Sequence, residues 1–318
     1  MTETMIHLSG VSRSFGSVKA LDQIHLEVRR GEVMGFLGPN GAGKTTTMRI
    51  LAGLLAPTEG SVAVAGVDVL DHPVEARARI GFLPENPPIY GEMTVYEYLG
   101  YLATLRRVPG VGLKQAVERA MERCGLTSVR DRLLRNLSKG FKQRAGIAQA
   151  IVHSPDVVIL DEPTVGLDPI QIREIRALIR ELGGEHSVLL STHILPEVRM
   201  TCQRVAVIHQ GRIVADDTLD ALESRAHGST MYYLRWRQPP VIETLRQIPG
   251  VGSVTPKEEG WLIRAESPDD PLPELVRLSA AEGWDLRELT QAGGSLEEIF
   301  LQLTTREERP DENEESKA

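Results

Sequence analysis

One short stretch of the chain has the residue types needed to hold a chain of phosphates. It fits the pattern G-x-x-x-x-G-K-[ST] and consists of Gly38, Pro39, Asn40, Gly41, Ala42, Gly43, Lys44, Thr45 and Thr46. Glycines let the backbone curl around an anion, so that successive N–H groups point at phosphate oxygens. The Lys44 ammonium suits the β- and γ-phosphates, and the Thr45 hydroxyl suits Mg²⁺. We call residues 38–46 the phosphate-binding loop.

Two adjacent carboxylates form a second candidate group. Asp161 and Glu162 follow residues 156–160, an apolar and largely β-branched run that predicts a parallel strand buried on both faces. Carboxylates at the tip of such a strand are costly unless a cation meets them, and Mg²⁺ with a nucleotide would do so. His193 follows the next predicted strand, residues 187–191. A histidine in that position predicts a functional rather than a structural side chain.

Two further residues are candidates because of where they stand. Glu85 follows a short apolar strand, residues 80–83, in a proline-rich loop. It therefore lies at the carboxyl end of a strand, where open α/β sheets bind ligands. Phe15 stands in a turn-like setting between two predicted strands, residues 4–8 and 24–28. It could stack on a nucleotide base, but an aromatic residue taken alone is more often buried in a core.

These residues need a layered sheet to bring them together. A buried strand over residues 32–37 and a helix over residues 44–52 flank the phosphate-binding loop. Later strands also alternate with helices, which predicts a mainly parallel α/β sheet. Residues 94–153 show only helical periodicity and begin with a capping box at Thr94. They indicate a helical subdomain, about residues 92–153, inserted between sheet elements.

The pattern predicts two domains and a tail. The nucleotide-binding pattern covers residues 1–222, and residues 229–305 predict a small α+β domain of βαββαβ type that ends in an amphipathic helix over residues 295–303. The tail, residues 306–318, holds six acidic residues and no large apolar anchor, so we expect it to be disordered.

Composition excludes several classes of function. The net charge of -8 and the 4% aromatic content argue against nucleic-acid binding as the main task. Two cysteines far apart, Cys124 and Cys202, predict core thiols and a reducing cytoplasm. The start of the chain lacks the features of a secretion signal, and no run of eighteen apolar residues occurs. We therefore expect that another chain spans the membrane if this protein acts there.

A third motif lies in the sequence between the phosphate-binding loop and the acid pair. It is Leu-Ser-Lys-Gly-Phe and includes Ser138, Lys139 and Gly140. With His193, this ordered set resembles the ATP-binding subunit of an ABC transporter over roughly residues 4–220. It is most similar to export-type subunits associated with gliding motility, sodium efflux and drug export. The resemblance implies a P-loop NTPase fold of ABC type, with a mainly parallel sheet, an antiparallel β subdomain, a helical subdomain and a small C-terminal α+β domain.

The resemblance also implies roles and partners. Phe15 and residues 38–46 would bind ATP, Asp161, Thr45 and Glu85 would hold Mg²⁺, and Glu162, His193 and Lys44 would be catalytic. Ser138, Lys139 and Gly140 would contact the ATP held by a second copy or a homologous subunit. The other partner would be a membrane permease, with this chain peripheral on the inner, cytoplasmic face of the cell membrane.

Three residues depart from the family pattern. Lys139 replaces a glycine, Phe141 replaces a glutamine and so removes an amide, and Glu85 replaces another glutamine. The opposite charges of Lys139 and Glu85 suggest that these two side chains offset one another. The main rival interpretation is an ABC-type ATPase without a permease. Such proteins usually carry tandem ATP domains or a long coiled coil, and neither pattern is visible here. A kinase or GTPase would leave the motif at Ser138 unexplained.

Overall fold

The structure, a computed structural model, describes residues 3–226, 231–266 and 270–291. Contacts divide the chain into two compact units, Met1–Asp217 and Thr218–Ala318. In the described part of the chain, no helix is both long enough and apolar enough to cross a membrane.

The strands up to residue 218 form two sheets. In chain order they are β1 (Thr4–Phe15), β2 (Val18–Arg29), β3 (Val33–Leu37), β4 (Glu59–Val64), β5 (Val67–Asp68), β6 (Ile80–Leu83), β7 (Val157–Asp161), β8 (Ser187–Thr192), β9 (Arg204–His209) and β10 (Arg212–Thr218). The larger sheet has the order β10-β9-β3-β8-β7-β6, and the smaller has the order β2-β1-β4-β5.

The larger sheet positions the candidate residues. Its pairs β3–β8, β3–β9, β6–β7 and β7–β8 are parallel. Every residue of β3, β7 and β8 is buried, which explains why these strands read as continuous apolar runs. Because parallel strands end at the same edge, the carboxyl ends of β3, β6, β7 and β8 place the phosphate-binding loop, Glu85, the acid pair and His193 side by side.

Helices of this unit pack around the sheets. In chain order they are α1 (Lys44–Leu51), α2 (Pro73–Ala78), α3 (Val95–Leu105), α4 (Gly110–Arg123), α5 (Lys139–Ile151), α6 (Pro169–Leu182) and α7 (Leu195–Thr201). Helices α3, α4 and α5 contact one another and form the predicted helical block. The Thr94 hydroxyl accepts from Glu97 N, and the Glu97 carboxylate accepts from Thr94 N, so the capping box is present.

The smaller sheet contributes to one large core. Its strand β1 pairs with β2 and β4 in antiparallel register, and β4 pairs with β5 in the same way. Apolar side chains of both sheets and of α1 pack in a single cluster that includes Phe36 and Met48. This core fixes α1, and with it the start of the phosphate-binding loop helix, against the sheet.

The second unit has its own sheet and core. Its elements are α8 (Leu219–Ala226), β11 (Met231–Trp236), α9 (Ile242–Arg246), β12 (Val251–Lys257), β13 (Gly260–Ala265), α10 (Leu272–Ala281) and β14 (Leu286–Gln291). The sheet order is β12-β13-β11-β14, and its pairs are antiparallel. Trp236 Nε1 donates to Ser279 Oγ (2.8 Å) inside the core. The helix predicted over residues 295–303 and the tail 306–318 lie outside the described residues.

The predicted fold class is confirmed, although several short helices and strands were not predicted. The α/β sheet, the antiparallel part and the helical block are all present. The sequence reasoning did not predict α2, α7, α8, β5, β9 or β10. None of these elements is longer than eight residues, which leaves little room for a repeating apolar pattern.

Candidate functional site

The phosphate-binding loop joins β3 to α1 with free backbone donors at the helix start. Gly43 caps α1 at φ 110°, and no side chain caps this helix end. A Cβ at Gly43 would come within 2.6 Å of Leu21 Cδ2, so both the backbone angle and the packing require glycine there. The first-turn N–H groups are therefore available to an anion, which the helix dipole also favours.

The Lys44 ammonium contacts carbonyl oxygens of this loop and a carboxylate oxygen of Glu162. Its Nζ donates to the carbonyl oxygens of Gly38 (2.7 Å) and Pro39 (3.2 Å) and lies 3.3 Å from Glu162 Oε1. The side chain is 6% exposed. A buried ammonium with a carboxylate partner, beside free helix N–H groups, is the charge arrangement that a polyphosphate requires.

Asp161 is the most deeply buried acid of the group. It is 1% exposed and accepts a hydrogen bond from Ser191 Oγ (2.8 Å). Burial raises the pKa of Asp161, hydrogen bonds from Ser191 and Thr45 oppose this, and the nearby Glu162 and Glu85 raise the pKa further. A cation would relieve this cost.

The oxygen groups here fit Mg²⁺. Among the described residues there is no group of three or more His, Cys, Asp or Glu side chains that could hold a metal ion. Mg²⁺ generally binds through one or two carboxylates together with phosphate oxygens and water. Asp161 and the Thr45 hydroxyl meet that requirement, because the Thr45 hydroxyl, at the start of α1, is close enough to the Asp161 carboxyl to lower its pKa.

Glu162 turns sharply away from the end of β7. Its φ of 49° lies in the left-handed region, which is uncommon for a residue other than glycine. The turn aims its carboxylate at Lys44 and at His193, whose Nδ1 lies 3.0 Å from both Glu162 oxygens. This chain of lysine, glutamate and histidine can hold a water molecule and accept its proton.

Most of the predicted site residues meet in one cleft of about 290 Å³, which we call the phosphate cleft. Its lining is Ala20, Asn40, Gly41, Gly43, Lys44, Thr45, Thr46, Glu85, Glu162, Val165 and His193. Ala20 and Val165 were not predicted. Each lies close in sequence to a predicted residue, but small apolar side chains carry no signal of their own.

Phe15 does not line this cleft. It is 47% exposed, which corrects the expectation that such an aromatic residue is buried in the core. The guanidinium of Arg13 lies 4.7 Å from the centre of the Phe15 ring, so one face of the ring carries a cation. The exposure arises because β1 ends at Phe15, in the turn that leads to β2.

The three residues of the third motif lie apart from the cleft. Ser138 caps α5 by accepting from Phe141 N (3.4 Å). Ser138 and Gly140 line a cavity of about 420 Å³, together with Asp168 of the α6 cap. Lys139 lines another cavity, of about 390 Å³, which it shares with Glu85. Within one chain, these residues and the phosphate-binding loop therefore face different spaces.

Both cysteines are buried, as the sequence analysis predicted. Burial raises the pKa of Cys124 to about 12 and raises that of Cys202 as well. Thiols of such high pKa are almost wholly protonated at neutral pH and therefore poor nucleophiles.

Sequence comparisons place the chain among ATP-binding proteins of transporters. A sequence model of the family described as ABC transporter matches residues 21–165. The chain is 34% identical over 302 residues to the bacitracin transport ATP-binding protein BcrA of Bacillus licheniformis, covering 94% of this chain and 97% of the relative. It is 32% identical over 307 residues to the daunorubicin resistance ATP-binding protein DrrA3 of Streptomyces coeruleorubidus, covering 96% and 97% respectively.

Solved structures give the same result for the fold. The ATP-binding subunit of an ABC transporter matches with a TM-score of 0.64 and 30% identity, covering 70% of this chain and 93% of that chain. A dimeric ATP-binding cassette in a post-hydrolysis state, bound to ADP and Pi, matches with a TM-score of 0.61 and 25% identity, covering 68% of this chain and 99% of that chain.

Proposed function

This chain belongs to the ABC transporter family, and we propose that it hydrolyses ATP as a dimer and thereby drives export through a separate membrane permease. The observation that carries the proposal is the group formed by Lys44, Glu162 and His193 beside the uncapped start of α1. It unites a phosphate-binding loop with a carboxylate and a histidine that contact each other.

We assign the ATP contacts as follows. Backbone N–H groups of residues 38–46 bind the phosphates, and Lys44 neutralises the β- and γ-phosphates. Thr45, Asp161 and Glu85 hold Mg²⁺, which when bound neutralises phosphate charge. Phe15 offers its free ring face to the base, since Arg13 covers the other face.

We assign the hydrolytic step to the pair Glu162 and His193. The Glu162 carboxylate orients a water molecule and accepts its proton. The contact of 3.0 Å to His193 Nδ1 keeps the carboxylate in place. Positioning and charge stabilisation supply most of the rate in phosphoryl transfer, so small shifts of these groups matter.

A second subunit completes the site in this proposal. Ser138, Lys139 and Gly140 line cavities other than the phosphate cleft of their own chain. The start of α5, capped by Ser138, offers N–H groups to an anion brought by another surface. A second copy or a homologous subunit brings that anion as bound ATP, which makes hydrolysis dependent on the dimer.

We place the chain on the inner, cytoplasmic face of the cell membrane, bound to its permease. The loop from Glu85 to Tyr90 and the helical block that follows it are the proposed contacts. Tyr90 is half exposed and packs edge-on against Tyr101, with ring centres 5.8 Å apart. The export direction follows from the relatives named for bacitracin transport and daunorubicin resistance.

Glu162→Gln tests the assignment of the hydrolytic residue. The amide keeps the shape but cannot accept a proton, so we expect hydrolysis to fall by about 100-fold or more while ATP binding persists. With saturating Mg-ATP, light scattering after size exclusion should show a trapped dimer. Glu118→Gln, a change on the exposed face of α4, is the matched control and should hydrolyse ATP like the wild type. A monomeric Glu162→Gln protein with unaffected hydrolysis would contradict the assignment.

The permease is tested separately. Purification of the protein from its native membrane should also yield a multispanning subunit, identified by mass spectrometry. An ATPase that hydrolyses ATP but brings no such subunit would instead support a non-membrane partner.

A further inference from the structure

One buried carboxylate next to the hydrolytic pair has no part in the assignments above. Glu197 lies in the first turn of α7 and is 1% exposed. Its Oε2 accepts from Thr192 Oγ1 (2.7 Å), and its Oε1 bonds to Thr164 Oγ1. Each carboxylate oxygen therefore binds the hydroxyl of a different threonine.

These two threonines lie beside the hydrolytic residues at the carboxyl ends of neighbouring strands: Thr164 in the turn after β7 and Thr192 at the end of β8. Thr192 directly precedes His193, and Thr164 follows Glu162 by two positions. The Thr164 loop is a tight turn, in which Val165 N donates to Glu162 O (3.3 Å). A shift of either threonine would therefore be passed along a short, bonded stretch of backbone to Glu162 or His193.

The bonding of Thr192 shows why a carboxylate is needed. Its Oγ1 accepts from Ile194 N (3.1 Å), so its own proton is free to bond to Glu197. The Thr192 carbonyl accepts from Gly38 N (3.3 Å), which ties the same residue to the phosphate-binding loop. A carboxylate can accept from two hydroxyls at once, one on each oxygen, whereas an amide has only one accepting oxygen.

A guanidinium also lies beside the Glu197 carboxylate. Arg176 Nη2, on α6, lies 3.6 Å from Glu197 Oε1. Removing one member of a buried ion pair is costly, but the pair itself adds little net stability compared with apolar residues. Stability alone therefore does not explain a charge in this position, whereas holding two loops in register does.

We propose that Glu197 is a positioning residue for ATP hydrolysis, which holds the Glu162 loop and the His193 loop in register through Thr164 and Thr192. The inference rests on the proposed roles of Glu162 and His193. Glu197 itself contacts neither residue through its side chain and is not catalytic. Its effect passes through the contact between His193 Nδ1 and the Glu162 carboxylate.

A double-mutant cycle tests this role in the full-length protein. Glu197→Gln, His193→Ala and the double variant are compared by single-turnover hydrolysis of labelled ATP, which can follow slow variants. We expect Glu197→Gln to lower the rate constant about tenfold in the wild-type background, since misplacement of catalytic groups has effects of this order, and to leave ATP affinity within about twofold. In the His193→Ala background, Glu197→Gln should lower the rate constant by less than about twofold. An equal loss in both backgrounds would show a general structural role and overturn the proposal.

Threonine substitutions give a second test that does not depend on residual activity of His193→Ala. Thr164→Val and Thr192→Val remove one hydroxyl each, and each should lower the rate constant several-fold. Thr201→Val is the matched control, because Thr201 lies on α7 with a buried hydroxyl that has no hydrogen-bond partner in the described structure. It should leave hydrolysis unchanged. Wild-type rates for Thr164→Val and Thr192→Val would overturn the proposal.

The outcomes also separate this proposal from the assignment of the hydrolytic pair. If His193→Ala hydrolyses ATP like the wild type, the role of His193 fails. If His193→Ala is slow but Glu197→Gln is not, only the role of Glu197 fails.

Discussion

At the scale of single residues, Lys139 and Glu85 are the two departures from the family pattern with the clearest electrostatic consequence. Both line one cavity, together with Arg135 and Lys142, although no ion pair joins Lys139 to Glu85 in the described structure. Glu85 also lines the phosphate cleft and adds negative charge near Asp161. An added cation and an added anion near the same nucleotide should partly cancel in their effect on bound phosphate.

The cancellation predicts non-additive kinetics. Glu85→Gln and Lys139→Gly should each change the hydrolysis rate. The rate of the double variant should be closer to the wild-type rate than the value obtained by multiplying the two single fold-changes. Steady-state ATP hydrolysis at saturating Mg-ATP measures this. Glu118→Gln combined with Lys139→Gly is the control, because Glu118 lies on α4, pairs with Lys114 and Arg130, and does not line this cavity, so this combination should be additive. Strict additivity for Glu85 and Lys139 would contradict the compensation.

At the scale of elements, α5 and β6 form one connected piece. The Gln149 amide donates to the carbonyl oxygen of Phe82 (2.7 Å), and His153 Nε2 lies 3.1 Å from that of Ile80. Helix α5 begins with the Ser138 cap, and β6 leads directly to Glu85. The motif proposed to face the second subunit is thus fixed to the strand that leads to Glu85, a proposed Mg²⁺ ligand. A shift of Glu85 on phosphate binding would be passed to α5 through these contacts.

His153 predicts a pH dependence of stability for this piece. Burial, with a contribution from Arg106, lowers the pKa of His153 to about 4 from its usual value near 6.5. The unfolded chain therefore binds a proton at His153 more readily than the folded chain does. The free energy of unfolding is unaffected by His153 above about pH 6.5, and it decreases as the pH falls from 6.5 towards 4. The loss amounts to about 3 kcal/mol at most.

Urea unfolding between pH 4.5 and 7.5 measures this dependence. His153→Gln, whose amide can still donate to the carbonyl oxygen of Ile80, should flatten the pH slope. Part of the slope should remain, because burial also lowers the pKa of His186. His72→Gln, at an exposed position, should keep the wild-type slope. An unchanged slope in His153→Gln would show that His153 is not responsible.

At the scale of the whole molecule, each of the two units has a hydrophobic cluster of its own among the described residues. One joins the two sheets of the nucleotide-binding unit around Phe36 and Met48. The other lies in the second unit and includes Trp236 and Trp284, whose rings meet edge-on at 6.0 Å. Every residue proposed to contact ATP belongs to the first unit. Stabilisation by ATP should therefore appear in the unfolding of that unit.

Calorimetry of the full chain tests this division. We expect two transitions, of which the larger moves to higher temperature when ATP is added without Mg²⁺, conditions that prevent hydrolysis. At a ligand concentration of about 100 times Kd the stabilisation is about 2.7 kcal/mol, or a shift of roughly 5–10 °C. The smaller transition should stay in place, and Lys44→Ala should abolish the shift. Equal shifts of both transitions would contradict the assignment of ATP binding to one unit.

The sequence by itself determined the family, the fold class and most of the residues that line the phosphate cleft. Relatives named as transporter ATP-binding proteins confirm the family. These predictions succeeded because the phosphate-binding loop and the acid pair are local patterns, in which a strand, its loop and the next residues are adjacent in the chain. The buried runs of β3, β7 and β8 were equally readable, since every side chain in them is apolar or enclosed.

Only the tertiary structure decided which of these patterns meet. The order β3-β8-β7 places Lys44, His193 and Glu162 within contact distance, although more than a hundred residues separate Lys44 from Glu162 in the chain. Glu197 gave no signal in the sequence, because its two hydroxyl partners, one in the turn after β7 and one at the end of β8, come together only when β7 and β8 pair. Periodicity and motif spacing report neighbours along the chain, whereas burial and contact between strand ends depend on the order of the strands.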